Sequence, residues 1–324
     1  MSALLSIQDL HIGIKHRRGD EEIVRGVTLE VEAGEKVGIV GESGSGKTLT
    51  MLSVLRLLAS PPLSVLSGEV LLDGEDLARV KVKRLRAVRG GDIAMVYQDP
   101  MSSLNPLLRI GGQIEEVLRA HGANTPTAQE RTREVLLEVG LDDPERVRIS
   151  FPHQLSGGMI QRVMIAMALA TSPRILIADE PTTALDVTIQ RQILELVTSL
   201  QATTGMAVLW VTHDLGVVAS LVDRVVVMYA GRIVETASTE QLFARPAHPY
   251  TKALLESLPT LETPHRSPLH QIGGTPPDPT HLSAGCPFRF RCPYAIAQCE
   301  HEEPPLIDRG HGSFAACWRD PSEW

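Results

Sequence analysis

With 324 residues, 43% of them hydrophobic and 22% charged, the chain has the make-up of a globular protein long enough for roughly two domains. A net charge of −8 with no long basic run gives nucleic acid no electrostatic purchase. The longest uninterrupted apolar run, Val163 to Ala170, falls far short of the ~18 residues a membrane-spanning helix needs. Met1 to Leu10 has neither a basic start nor an extended apolar stretch, so a cytosolic location is expected.

Residues 4–40 alternate short apolar segments with turns. Leu4–Leu10, Ile12–Ile14, Ile23–Val31 and Val37–Val40 read as a strand-rich lobe, with the charged interval His16 to Glu22 as a loop. Val37–Val40 runs straight into Gly41-Glu42-Ser43-Gly44-Ser45-Gly46-Lys47-Thr48, and Leu49 to Leu55 has helical spacing. Strand, glycine-rich turn with a Lys-Thr pair, then helix is the context a phosphate-binding loop requires. Backbone N–H groups over Gly41, Ser43, Gly44, Ser45, Gly46, Lys47, Thr48 and Leu49 can point at phosphate oxygens, aided by the helix dipole. Lys47 would reach the β- and γ-phosphates, and the Thr48 hydroxyl would ligate Mg²⁺. A nucleoside triphosphate is the ligand this pattern implies.

Gly68–Gly74 and Ile93–Tyr97 read as further strands. From 100 to about 172 the texture changes: Ile114, Val117, Leu118 and then Val135, Leu136, Val139 follow helical spacing. Strands return at Ile175–Ala178, Ala207–Val211 and Val225–Tyr229, with a helix over Ile189–Leu200. That alternation implies a parallel sheet covered by helices, with the helical block as an insertion into an α/β core. Residues 259–305 are rich in proline and read as an extended linker bordering the cysteines.

Two stretches carry further chemistry. Ile175 to Ala178 ends in Asp179 and Glu180; after a phosphate loop, Asp179 suits Mg²⁺ and Glu180 suits orienting the attacking water. Leu155-Ser156-Gly157-Gly158-Met159-Ile160-Gln161-Arg162 precedes an expected helix at Val163–Ala170. Ser156 can cap that helix, and the glycines let backbone approach an anion.

This last stretch resembles the signature motif of ABC ATPases, with Met159 where many members carry Gln. The order of motifs matches that family over roughly residues 4–258. Gln98 resembles the Q-loop glutamine, a catalytic and Mg²⁺-contacting residue there. Ala184-Leu185-Asp186 resembles the D-loop, and His213 the switch histidine. The resemblance implies a dimer in which Lys47 and Glu180 serve the chain's own ATP, while Ser156, Gly157 and Gly158 serve the partner's nucleotide; Asp186, in the D-loop-like stretch, is a further expected nucleotide-binding residue. One departure concerns adenine. The family usually stacks it on an upstream aromatic, yet residues 1–36 contain none; Ile14 or His16 could substitute.

Three further stretches resemble the branch that powers dipeptide, oligopeptide and nickel importers: Tyr97 to Pro106, Leu155 to Arg162, and His248-Pro249-Tyr250-Thr251 with Leu254-Leu255. The resemblance implies a P-loop ABC ATPase of α/β class: a RecA-like core with a β lobe at 1–98 and 173–258, and a helical subdomain at 99–172. A linker at 259–285 and a cysteine module at 286–324 follow. The implied partners are a second, homologous ATPase subunit in a heterodimer, two transmembrane permeases docking near Gln98–Ile114, and an extracytoplasmic peptide-binding protein. The implied place is the cytoplasmic face of the bacterial cell membrane. Alternative cargoes are nickel, glutathione or antimicrobial peptides. A soluble ABC ATPase of DNA repair or translation is the remote alternative.

All four cysteines, Cys286, Cys292, Cys299 and Cys317, lie in the last module with half of the chain's aromatics. A reducing cytosol disfavours disulfides, and structural zinc usually shows pairs two to four residues apart, which are missing here. Cys₄ ligation of an iron–sulfur cluster tolerates varied spacing. A [4Fe–4S] cluster, also found in some similar peptide-importer ATPases, is the leading expectation, with Zn²⁺ and unligated thiols as alternatives.

Overall fold

The computed structural model describes residues 3–16, 19–99, 103–183, 185–258 and 271–324. Alternating apolar residues build the first sheet. Strand β1 (Leu5–Ile14) pairs antiparallel with β2 (Glu21–Val31) and with β4 (Leu63–Leu72), which carries the short β5 (Glu75–Asp76). Ile7 and Leu10 are three residues apart, so strict alternation would send them to opposite faces. Both are nevertheless fully buried, because the register slips between them, at a bulge where Asp9 takes φ 46°. The expected segments Leu4–Leu10 and Ile12–Ile14 are therefore one bulged strand.

The chain divides into two compact units: Met1–Val31, Lys36–Ala78 and Val211–Trp324 in one, Glu32–Glu35 and Arg79–Trp210 in the other. In the first unit, β3 (Lys36–Val40) runs parallel to β9 (Arg224–Tyr229) in the register Gly38↔Val225 and Val40↔Val227. Antiparallel strands then continue the sheet: β10 (Arg232–Ser238) on β9, β12 (Ser313–Ala315) on β10, and β11 (Ile307–Gly310) on β12. The expected parallel sheet is thus mixed, and its outer strands come from the cysteine-bearing tail. Residues 259–270 of the expected linker lie outside the described residues; from 271 to 285 the one regular turn described is Pro279–His281.

In the second unit, β6 (Ile93–Val96) runs parallel to β7 (Ile175–Asp179), with β8 (Ala207–Thr212) on the other side of β7. Every residue of β7 and β8 is buried, as expected of strands covered on both faces. The helices Ile110–Ala120, Thr125–Glu138, Pro144–Ile149 and Gly157–Leu169 fill the expected helical block. Their starts are written locally. Asn124 accepts from Thr127 N and Asp143 from Arg146 N, each with proline in the first turn. Of the residues the spacing singles out, Ile114, Leu118, Val135, Leu136 and Val139 are buried, while Val117 is half-buried. The following helix, Val187–Thr204, outruns the expected Ile189–Leu200 because Asp186 caps its start and Gly205, at φ 68°, ends it. Among the described residues no helix is long and apolar enough to cross a membrane.

Candidate functional site

In the first unit, buried β3 delivers the chain into the loop Gly41–Gly46, and the helix Lys47–Val54 follows. Gly41 accepts no side chain, since a Cβ there would lie 2.2 Å from the Met228 carbonyl oxygen. Gly46 takes φ 96° just before the helix, a conformation that costs other residues dearly. Ser43 and Gly44 are exposed, whereas Ser45 and Lys47 are buried, and Thr48 and Leu49 are half-buried. Lys47 Nζ donates to the carbonyl oxygens of Gly41 (2.7 Å) and Glu42 (2.9 Å), so the ammonium lies against the loop at the root of the helix. His213 is exposed just beyond β8, where Asp214 caps the helix Leu215–Leu221. Ile14 is half-buried at the end of β1, and His16 is exposed with its ring 3.6 Å from Glu21.

The second unit holds the carboxylates. Asp179 ends β7 at 3% exposure, and Glu180 follows with φ 46°. A non-glycine residue held there is strained, as functional residues often are. Gln98 Nε2 donates to Glu180 Oε2 (3.1 Å), and Thr183 Oγ1 donates to the same oxygen (2.9 Å). Two of the expected catalytic residues therefore meet, and Thr183 is a partner that sequence reasoning missed. Its only signal was its place three residues after Glu180.

The signature stretch corrects one expectation. The helix begins at Gly157, not Val163, because Ser156 is its cap and accepts from Met159 N (3.4 Å). Gly157 and Gly158 therefore form the first helical turn, whose N–H groups have no partner within a helix. Ser156 and Gly157 are exposed. A Cβ on Gly158 would stand 3.1 Å from the Ile189 side chain, so this turn packs closely on the helix that Asp186 caps. Asp186 itself is exposed and accepts from Ile189 N (3.0 Å); Ala184 lies outside the described residues.

Sequence reasoning also missed what stands behind the phosphate loop. Glu42 N donates to the Tyr250 hydroxyl (2.9 Å), and the Glu42 carboxylate meets Arg291 at 2.6 and 2.8 Å. Tyr250 rides on the helix Pro249–Glu256, whose cap His248 accepts from Tyr250 N (3.0 Å). Buried Glu235 on β10 accepts from the N–H groups of Ala247 (2.7 Å) and His248 (2.9 Å). Burial pushes the Glu235 carboxyl up to about 7 and the His248 imidazole down to about 3. The His-Pro-Tyr segment was the available signal.

The four cysteines are free thiols sharing one neighbourhood. Burial pushes Cys286 up to about 12, and the other three thiols raise it further; burial likewise pushes Cys292 up to about 11 and raises Cys317. The nearby guanidinium of Arg319 pulls Cys292 and Cys317 back, and Arg309 pulls Cys317. Cys286 N donates to the Cys299 carbonyl (2.9 Å), which closes the module on itself. Among the described residues, no three His, Cys, Asp or Glu side chains are arranged to hold a single metal ion.

Residues 24–183 match the family model described as ABC transporter, and residues 234–299 match oligopeptide/dipeptide transporter, C-terminal region. The fold is similar, with TM-score 0.64 and 29% identity, to a dimeric ATP-binding cassette in a post-hydrolysis state bound to ADP and phosphate. That match covers 72% of this chain and 98% of the other. CbiO1 of Clostridium perfringens, part of an ABC transporter complex, is similar at TM-score 0.65 and 25% identity, over 75% of this chain and 92% of its own. Fold, phosphate loop and signature turn together define an ABC-type ATP-binding subunit. Over 98% of its length the chain is 50% identical to a probable peptide ABC transporter ATP-binding protein of Sinorhizobium fredii, covering 95% of that protein. It is 47% identical to the oligopeptide transport ATP-binding protein OppD of Bacillus subtilis, again over 98% of this chain and 89% of that one. The chain belongs to the ATP-binding proteins of peptide ABC transporters.

Proposed function

We propose that this chain hydrolyses MgATP to drive peptide import, as a peripheral subunit on the cytoplasmic face of a bacterial membrane. The observation that carries the reading is similarity to peptide-transport ATP-binding proteins along 98% of the chain, including the match at 234–299 to the oligopeptide/dipeptide transporter C-terminal region. By similarity to the family, Gly41, Ser43, Gly44, Ser45, Gly46, Lys47, Thr48 and Leu49 would bind the phosphates, and Thr48, Gln98 and Asp179 would hold Mg²⁺, which would offset phosphate charge. Glu180 takes up the proton of the attacking water as it meets the γ-phosphorus. Its hydrogen bonds from Gln98 and Thr183 restrict the carboxylate to one orientation, and His213 supports the γ-phosphate.

The exposed Ser156 and Gly157 and Asp186 suit a nucleotide held by another subunit, here a homologous ATPase. Leu107, 83% exposed, and Leu108, 44% exposed, give the segment between Gln98 and Ile114 an apolar surface that suits a permease. The cargo is delivered by an extracytoplasmic peptide-binding protein. Co-reconstitution with the permeases tests the reading: peptide should accumulate in vesicles only with MgATP. Uptake without ATP hydrolysis would refute it.

Cys286, Cys292, Cys299 and Cys317 are proposed to hold a [4Fe–4S] cluster. What supports a shared centre is that the four thiols lie near enough to act on one another electrostatically. The cationic Arg309 and Arg319 suit the negative charge such a centre carries. When bound, the group supplies a cross-link among four chain positions and a one-electron couple.

A further inference from the structure

The loop residue Glu42 is gripped by the cysteine module. Arg291, next to Cys292, meets both Glu42 carboxylate oxygens, Nη1 to Oε2 at 2.6 Å and Nη2 to Oε1 at 2.8 Å. The Arg291 side chain is 5% exposed and that of Glu42 24%. The remaining guanidinium bonds are spent as well: Nε donates to the Gly273 carbonyl (2.9 Å) and Nη1 to the Tyr229 hydroxyl (3.3 Å). Such a pair is planar, directional and costly to half-remove.

The grip is built from behind. Arg291 N donates to the Phe288 carbonyl (2.9 Å), and Phe288, 1% exposed, packs edge-on against Tyr229 with centroids 5.3 Å apart and beside Tyr250 at 5.4 Å. Tyr250 in turn accepts from Glu42 N, and the Glu42 carbonyl accepts from Lys47 Nζ. Carboxylate, N–H and carbonyl of one loop residue are thus each assigned a partner. The Glu42 side chain has no part in the phosphate chemistry derived above, which leaves holding the loop as its work.

We propose that Arg291 is a positioning residue for the phosphate-binding loop: by clamping Glu42 it holds Gly41 to Gly46 in the shape that receives nucleotide. The cysteine module is then part of the nucleotide site. This rests on the ATP-binding reading above. Without the clamp the loop must be ordered by the nucleotide itself, which weakens binding while leaving the groups that act on the γ-phosphate in place.

The module has other anchors, so losing this one does not release it. Glu303 meets Arg25 at 2.9 Å and Arg232 at 2.8 Å, and β12 stays paired to β10. The test is titration of the full-length chain with a fluorescent methylanthraniloyl-ATP and Mg²⁺, using the parent, Arg291→Ala, Arg291→Lys, Glu42→Gln and the double variant Arg291→Ala/Glu42→Gln. Circular dichroism melts confirm the fold of each. Expected are a Kd raised about tenfold in each neutralised single variant, a double variant no weaker than either single, and partial recovery in Arg291→Lys. In steady-state hydrolysis KM should rise with kcat within about twofold. A folded Arg291→Ala chain with the parent's Kd, or losses that simply add, would overturn the clamp. Should Arg291→Ala not fold, Glu42→Gln decides alone, and a parental Kd in that variant overturns it equally. A parent that binds no nucleotide overturns the ATP-binding reading itself, an outcome distinct from the first.

Discussion

Glu235→Gln should change how the stability of this chain depends on pH, and the reason lies beneath the helix that carries Tyr250. Glu235 and His248 are 0% and 2% exposed. Burial moves them in opposite senses, the carboxyl up from 4.5 to about 7 and the imidazole down from 6.5 to about 3. Between pH 4.5 and 6.5 folded Glu235 retains a proton that the unfolded chain has released, which favours the fold as pH falls. In the same window folded His248 lacks a proton that the unfolded chain has taken up, which favours the fold as pH rises. The two nearly cancel, so the pair lends stability almost no slope there. Glutamine at 235 removes one side of the balance. From pH 5 to pH 6 the variant should gain about 1 kcal/mol of unfolding free energy relative to the parent's own change. Urea unfolding followed by far-ultraviolet circular dichroism measures it at both pH values, and comparing the two chains cancels every group they share. Equal slopes in parent and variant would refute the opposed titration of the pair.

Glu180→Gln keeps the shape and the partners Gln98 and Thr183 but cannot accept a proton; ATP turnover should fall by about a hundredfold or more with nucleotide binding retained, and undiminished phosphate release would remove Glu180 from the chemistry. Gly41→Ala places a methyl 2.2 Å from the Met228 carbonyl oxygen, so the loop must leave β9 and methylanthraniloyl-ATP binding should weaken at least tenfold; parental affinity would show that the loop tolerates the shift. For the cysteine module, protein purified without oxygen should carry about four irons and four acid-labile sulfides per chain, and Cys292→Ser should lose them. One zinc without sulfide, or unchanged iron in the variant, would defeat the assignment.

Local chemistry determined much of this protein from the sequence alone. The phosphate loop was legible because each residue type is needed at its own position: glycine where φ is positive or a Cβ would collide, lysine and threonine at the first helical turn. Asp179-Glu180 was legible as two carboxylates closing an apolar strand, and the amphipathic helices as spacing. Where expectation failed locally, a neighbouring interaction prevailed. The signature helix starts at Gly157 because the Ser156 cap and packing on Ile189 outweigh the poor helix propensity of glycine, and β1 is unbroken because a bulge resets its alternation.

Tertiary structure alone decided the rest, for one physical reason: the partners are far apart in the chain. Arg291 and Glu42 are separated by 249 positions, and nothing near either residue encodes the other. The same holds for Glu235, whose burial comes from β10 lying between β9 and β12, and for the tail, whose strands extend the sheet only because β10 leaves an edge to receive them. Sequence periodicity reports which face of an element is apolar; what comes to lie against that face is set by the fold.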